Sequence, residues 1–191
     1  MAAAQYGADA IGLVFYPGSP RHVSVLQAAV IMRALPPFIA SVGLFVNAEA
    51  KAINAILQDL PLALLQFHGE ESASFCRQFK RPYLKAVRVK SSLDLLQYAA
   101  GYPDAQGLLL DAYVEGTAGG TGQTFDWDLI PAGLPLPVVL SGGLNPDNVA
   151  AAIKHVKPWA VDVSSGVEAA KGIKDAAKIA AFMQGVKNGN V

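Results

Sequence analysis

The sequence predicts an α/β chain wound as a (β/α)8 barrel that lacks its first strand and most of its first helix. Three observations carry this. Short, nearly continuous apolar runs alternate with amphipathic or Ala-rich segments long enough for helices, the pattern of parallel strands covered on both faces. Each run leads into a helical segment of similar length with no visible reversal of strand order, which favours a barrel over a doubly wound sheet. Polar and unusual residues follow the runs, at 17–21, Asn47, 68–71, Arg88, 111–124, 141–144 and 164–168. Loops after the strands carry the chemistry of such barrels.

The elements follow in order. Met1-Ala2-Ala3-Ala4-Gln5 runs into Gly7-Ala8-Asp9, which reads as the last turn of a helix and its C-cap, with no N-cap before it. The expectation is that the first strand and most of the first helix are absent, and that an upstream start would supply them. Strands are predicted at 10–15, 40–46, 62–67, 83–89, 107–111, 138–141 and 160–163. Helices are predicted at 24–35, 48–60, 72–79, 91–100, 146–155 and 174–187, with a shorter one near 126–130. No linker or low-complexity tract interrupts them, so residues 1–191 form one incomplete barrel domain.

Composition narrows the functions. Fifteen Lys and Arg balance 15 Asp and Glu, so there is no electrostatic footprint for nucleic acid. Hydrophobic residues are 52% and charged residues 16%, which excludes general disorder. The longest apolar run, 35–46, is broken by two prolines, Ser41 and Gly43, so no membrane span is expected. The start has no cationic region and no secretory signal. One cysteine, Cys76, permits neither an internal disulfide nor a cysteine-based zinc cluster, and His22, His68 and His155 show no metal-ligand spacing. A cytoplasmic chain without metal or cofactor is expected.

Two loops have the character of an anion site. Ser141-Gly142-Gly143-Leu144-Asn145-Pro146-Asp147 follows a strand; its glycines let backbone approach a ligand, and Asn145 with Pro146 suits an N-cap and first helical residue. Ser164-Ser165-Gly166-Val167-Glu168 repeats that character on the next loop, and the last two loops of these barrels often share one phosphate. Tight turns are the alternative reading. Residues 116–122, including Gly120, form a Gly-rich loop that reads as a lid over a phosphorylated substrate or as a disordered connector.

Asp111 ends the apolar strand Gly107-Leu108-Leu109-Leu110, where partial desolvation favours a protonated carboxyl and suits a general acid; a capping or salt-bridged Asp is the alternative. Asp162, read within the strand at 160–163, invites the same argument more weakly. Arg21 follows Tyr16-Pro17-Gly18-Ser19-Pro20, where two prolines stiffen the loop and hold a guanidinium for a carboxylate; the alternative is a surface Arg. His68 stands at another strand end and lines the site or caps its loop. Cys76, on an outer helix, is expected to pack.

These strings resemble one family. Residues 12–21 (Gly-Leu-Val-Phe-Tyr-Pro-Gly-Ser-Pro-Arg) are similar to the second strand and loop of phosphoribosylanthranilate isomerases. Similar in turn are Gly43-Leu44-Phe45-Val46-Asn47, Leu65-Gln66-Phe67-His68-Gly69-Glu70, Leu84-Lys85-Ala86-Val87-Arg88-Val89, Leu110-Asp111, residues 119–127 and residues 162–168. The resemblance implies the third step of tryptophan biosynthesis from anthranilate. N-(5-phosphoribosyl)anthranilate becomes its 1-deoxyribulose 5-phosphate isomer by an Amadori rearrangement that needs no cofactor. A general acid opens the sugar ring to a Schiff base, a general base removes the C2 proton, and the enolamine tautomerises to a ketone. The resemblance makes Asp111 the acid and Arg21 the partner of the anthranilate carboxylate. It assigns phosphate to Gly142, Gly143, Ser165 and Gly166; His68, Gly120, Asp162 and Ser164 are further expected among the substrate-binding residues. The family's general base is a Cys on the first strand, in a Lys-Ile-Cys-Gly-Ile-Thr-like string that this sequence lacks; Cys76 matches a different region.

Impaired turnover by this chain is therefore expected. The substrate is a small phosphorylated sugar–anthranilate, and the protein is a monomer or homodimer. Two other readings remain at this point. One is another phosphate-binding barrel enzyme: an epimerase, which calls for metal ligands at strand ends, or an indole-glycerol-phosphate synthase, for which Lys85 is the lone catalytic candidate. The other is a non-catalytic remnant that keeps the phosphate site.

Overall fold

The protein is described by a computed structural model over residues 1–112 and 124–189. Its backbone gathers into two compact units, Met1–Lys85 and Ala86–Val191.

The first unit opens on α1 (Ala2–Gln5), a single turn that ends as the sequence predicts. Gly7 adopts φ 98°, Ala8 N–H donates to the Ala3 carbonyl and Gly7 N–H to the Ala4 carbonyl. These are the crossed bonds of a Schellman cap, which only a residue without Cβ closes cheaply. β1 (Ala10–Val14), β2 (Ala40–Phe45) and β3 (Leu64–Phe67) lie side by side in that order, all parallel. The first residues of β4 (Tyr83–Val89) add to β3, with Phe67 opposite Lys85. The helices start where side chains satisfy their first N–H groups. Ser24 and Gln27 form a reciprocal capping box at α2 (Val25–Ala34), and Ser72 accepts the Phe75 N–H at α4 (Ala73–Arg77). Between them runs α3 (Ala50–Asp59). Phe15 stacks on Phe45 at 5.5 Å, and Phe67 meets Phe75, Phe79 and Tyr83 at about 6 Å, so aromatic rings fill this core. β1 is covered less: Ala10 and Gly12 are exposed. On its flank away from β2 the described backbone supplies one bridge, Val14 to His22.

In the second unit β5 (Gly107–Ala112), β6 (Val138–Leu140) and β7 (Ala160–Val161) are parallel neighbours in that order. All six residues of β5 are buried. Leu108 and Leu110 pack with Val87, Val89, Leu95 and Ala99, which brings α5 (Leu95–Ala100) against the strands. α6 (Val149–Val156) and α7 (Ala176–Gly189) complete the helices. A hairpin, β8 (Glu168–Ala170) with β9 (Ile173–Lys174), lies between β7 and α7.

The α/β class and the parallel strands agree with the sequence reading, and all seven predicted strands form. Several boundaries differ. β7 stops at Val161, so Asp162 lies past the strand rather than inside it. α6 starts at Val149, not at residue 146. Asn145 still caps, accepting the N–H groups of Asp147 and Asn148, but it caps a turn that leads into the helix. The hairpin was unforeseen: Gly172, at φ 81°, closes a two-residue turn. Lys174 is thereby drawn into a strand, and Asp175 caps α7 through the N–H groups of Ala177 and Lys178. No helix among the described residues is long and apolar enough to cross a membrane.

Candidate functional site

In the second unit the candidate side chains stand at the carboxyl ends of β5, β6 and β7. Asp111 is 5% exposed, and its Oδ1 accepts the Ala112 N–H at 2.9 Å. Gly142, at φ 80°, lies so close that a Cβ there would strike the Ala112 nitrogen and reach Asp111 Oδ1 at 3.0 Å. Glycine is therefore needed twice over, for its backbone conformation and for the approach of the β6 loop to the acid. Gly143 follows at φ 66°. Its carbonyl accepts the Asn148 side-chain amide at 3.0 Å, which fixes the loop from behind.

The next loop docks on this one. A Cβ on Gly166 would overlap the Leu144 carbonyl, so the segment Ser165–Val167, a 3-10 turn, rests directly on residues 144 and 145. Ser141 Oγ donates to Asp162 Oδ2 at 2.9 Å, tying the two strand ends together. Lys174 donates to the Ser164 carbonyl at 2.7 Å and to Glu168 Oε1 at 3.1 Å, so the hairpin buttresses the loop from its far side. Gly142, Gly143, Ser164, Ser165 and Gly166 are thus brought into one pair of touching loops, with Asp111 beside them. The sequence reading missed Ser141 and Lys174 as supports. The Lys171-Gly172 turn signal was the one available clue to the second.

In the first unit Arg21 is half-buried at the end of a loop folded on itself. Its N–H donates to Ser19 Oγ at 3.1 Å, Ser19 N–H donates to the Tyr16 carbonyl, and the Tyr16 ring lies over Gly18. The expected stiffness comes from these turns as well as from the prolines. His68 follows β3 directly, and its N–H donates to the Phe45 carbonyl at 2.8 Å. The buried Gln66 amide donates from Nε2 to His68 Nδ1 at 3.0 Å. With Nδ1 accepting, a neutral ring carries its proton on Nε2.

Lys85 has no opening to a ligand. It is fully buried, and its ammonium donates to the carbonyls of Phe67 (3.3 Å) and Gly69 (2.5 Å) and to Glu71 Oε2 at 3.5 Å. Burial pulls its pKa below the usual lysine range while Glu71 pulls it back up. This removes the lysine that a synthase reading would require. Cys76 is buried as expected, and its thiol is pushed up to about 12, chiefly by burial, against the favourable field of Lys85. Gly120 and the Gly-rich loop lie outside the described residues. Among the described residues no three His, Cys, Asp or Glu side chains gather to hold a metal.

Parallel strands followed by polar loops, with a buried carboxyl beside paired glycine loops, define an α/β protein with its candidate site at the strand ends. The family model for N-(5'phosphoribosyl)anthranilate (PRA) isomerase matches residues 1–185. The N-(5'-phosphoribosyl)anthranilate isomerase of Pseudomonas fluorescens is 60% identical over 190 residues, 100% of this chain and 90% of the relative. That of Nitrosospira multiformis is 59% identical over 186 residues, 97% of this chain and 89% of the relative. The crystal structure of the Thermotoga maritima phosphoribosyl anthranilate isomerase matches with TM-score 0.87 at 42% identity, covering 97% of this chain and 91% of that one. A phosphoribosyl anthranilate isomerase crystallised with reduced 1-(o-carboxyphenylamino)-1-deoxyribulose 5-phosphate matches with TM-score 0.83 at 41% identity and the same coverage. The chain belongs to the N-(5'-phosphoribosyl)anthranilate isomerase family.

Proposed function

We propose that this chain binds N-(5'-phosphoribosyl)anthranilate and serves its Amadori rearrangement in tryptophan biosynthesis, with Asp111 as the general acid. The observation that carries this is the buried Asp111 carboxyl at the end of β5, set against Gly142 in a chain of this family. A carboxyl in such a place delivers a proton to a ring oxygen without competition from bulk water. Arg21 takes the anthranilate carboxylate as a guanidinium fork. The paired loops with Gly142, Gly143, Ser164, Ser165 and Gly166 take the phosphate on backbone N–H groups. His68, Asp162 and Gly120 line the bound sugar and ring. The reading needs no cofactor and no metal.

Its finer element is a single (β/α)8 barrel domain to which the seven parallel strands belong. It is supported by the parallel pairing of the strands in each unit and by the family match over residues 1–185. A cytoplasmic monomer or homodimer completes the proposal; one Thermotoga maritima relative is described as dimeric.

The direct test is binding of reduced 1-(o-carboxyphenylamino)-1-deoxyribulose 5-phosphate by calorimetry. The parent binds it, and Arg21→Ala loses about tenfold or more, the weight of one charge-assisted pair. Equal affinity in Arg21→Ala would show the carboxylate assignment to be wrong.

A further inference from the structure

We propose that the buried pair Lys85 and Glu71 forms, with the exposed Asn47, a clamp whose work is to position His68 against the substrate. The geometry is one closed circuit across three elements of the first unit. The Lys85 ammonium donates to the carbonyls of Phe67 and Gly69, the two residues that bracket His68. Its third partner, Glu71 Oε2, also accepts the Gly69 N–H at 2.9 Å. Glu71 Oε1 accepts the Asn47 N–H at 2.7 Å, and Asn47 Oδ1 accepts the Glu70 N–H at 2.7 Å. Asn47 holds a left-handed φ of 48°, the conformation that turns its amide and its side chain toward the next loop. Gly69 leaves no room for a Cβ, which would collide with Asn47. The backbone on either side of His68 is therefore fixed from below by a buried cation and from the side by a neighbouring loop. Gln66 then fixes the ring itself through Nδ1.

A lysine and a glutamate both withdrawn from water are costly, and hydrophobic residues would fill the same space without that cost. Fixing a backbone segment to a fraction of an ångström, with every proton of an ammonium spent on it, is what such a pair provides. Lys85 and Glu71 are buried, and the clamp acts on the backbone around His68, so its members are positioning residues.

The inference rests on the reading that His68 contacts the substrate, and a double-mutant cycle separates the two. The probe is reduced 1-(o-carboxyphenylamino)-1-deoxyribulose 5-phosphate, titrated into the full chain and into Glu71→Gln, Asn47→Gly, His68→Ala and the two double variants. Asn47→Gly keeps the left-handed backbone and removes one arm of the clamp, so it carries the cycle if Glu71→Gln does not fold. Each clamp variant is expected to weaken binding about tenfold, the scale of a small misplacement. In the His68→Ala background the same changes should shift affinity by less than about twofold, the limit of independence between sites. Parent-like binding by both clamp variants overturns the proposal. Equal losses with and without His68 overturn it too, since the clamp would then act elsewhere. Parent-like binding by His68→Ala shows instead that the substrate-contact reading has failed, and the clamp's purpose with it.

Discussion

Cys76 is the one cysteine in a sequence whose resemblance implies catalysis by a cysteine on the family's first strand. Its thiol is buried and held at about 12, so thiolate is scarce at neutral pH. Disulfide reagents at pH 8 should leave it unmodified until denaturant is added; rapid labelling of the native protein would contradict the burial. The same shift ties stability to pH. Above the ordinary thiol value of 9.0 the unfolded chain loses a proton that the folded chain keeps. Stability is therefore full below pH 9 and falls as pH rises toward 12, by about 1.4 kcal/mol per unit at most. Lys85 acts in the opposite direction, because its folded pKa lies below its unfolded one and stability rises with pH between the two. Comparing parent with Cys76→Ala isolates the thiol: the variant should lose less stability than the parent between pH 9 and 10.5 in denaturant titrations.

Among the elements, the two loops after β6 and β7 and the clamp after β3 respond most sharply to substitution. Gly142→Ala forces a Cβ onto the Ala112 nitrogen in a left-handed backbone. A loss of about 1–3 kcal/mol is expected in thermal or denaturant unfolding, with weaker phosphate binding. Lys85→Met leaves the buried Glu71 carboxylate without its cation, and about 3–5 kcal/mol is the scale for breaking such a pair from one side. Replacing both members by apolar residues should restore much of that stability without restoring ligand affinity.

These elements also mark where the sequence was legible. Gly142, Gly143 and Gly166 announced themselves because glycine and an asparagine cap after an apolar run have few other uses. Asp111 was visible as a polar end on an apolar strand. Lys85 stayed open as the lone catalytic candidate of a synthase reading, because from the sequence a lysine in a strand looks the same whether it faces a ligand or a buried glutamate. Its partner is 14 residues away and its other acceptors are backbone carbonyls, which carry no sequence signature. The β8–β9 hairpin was obscured by Ala-rich flanks that suit a helix. Asp162 was misplaced because β7 ends at Val161, and chain pairing alone decides where a short strand stops.

For the molecule taken whole, each unit has a well-covered strand and a poorly covered one. In the first, β3 has three of four residues buried, whereas β1 exposes Ala10 and Gly12. In the second, β5 is buried throughout, whereas β7 has no buried residue. Opening a strand costs free energy in proportion to what it buries, so amide exchange should be uneven. Native-state hydrogen exchange is expected to release β1 and β7 amides well before those of β3 and β5. Uniform protection across all four would mean that the edges are covered in solution.

The contact between Gly166 and the Leu144 carbonyl has a consequence for breeding new variants of this enzyme family. Recombination joins segments from different parents, and a crossover between residues 146 and 160 would take one member of that contact from each. The offspring inherit a loop shaped for a neighbour they do not have. Useful diversity will come from blocks that carry residues 141–168 together, and libraries cut inside that block should be rich in chains that fold poorly.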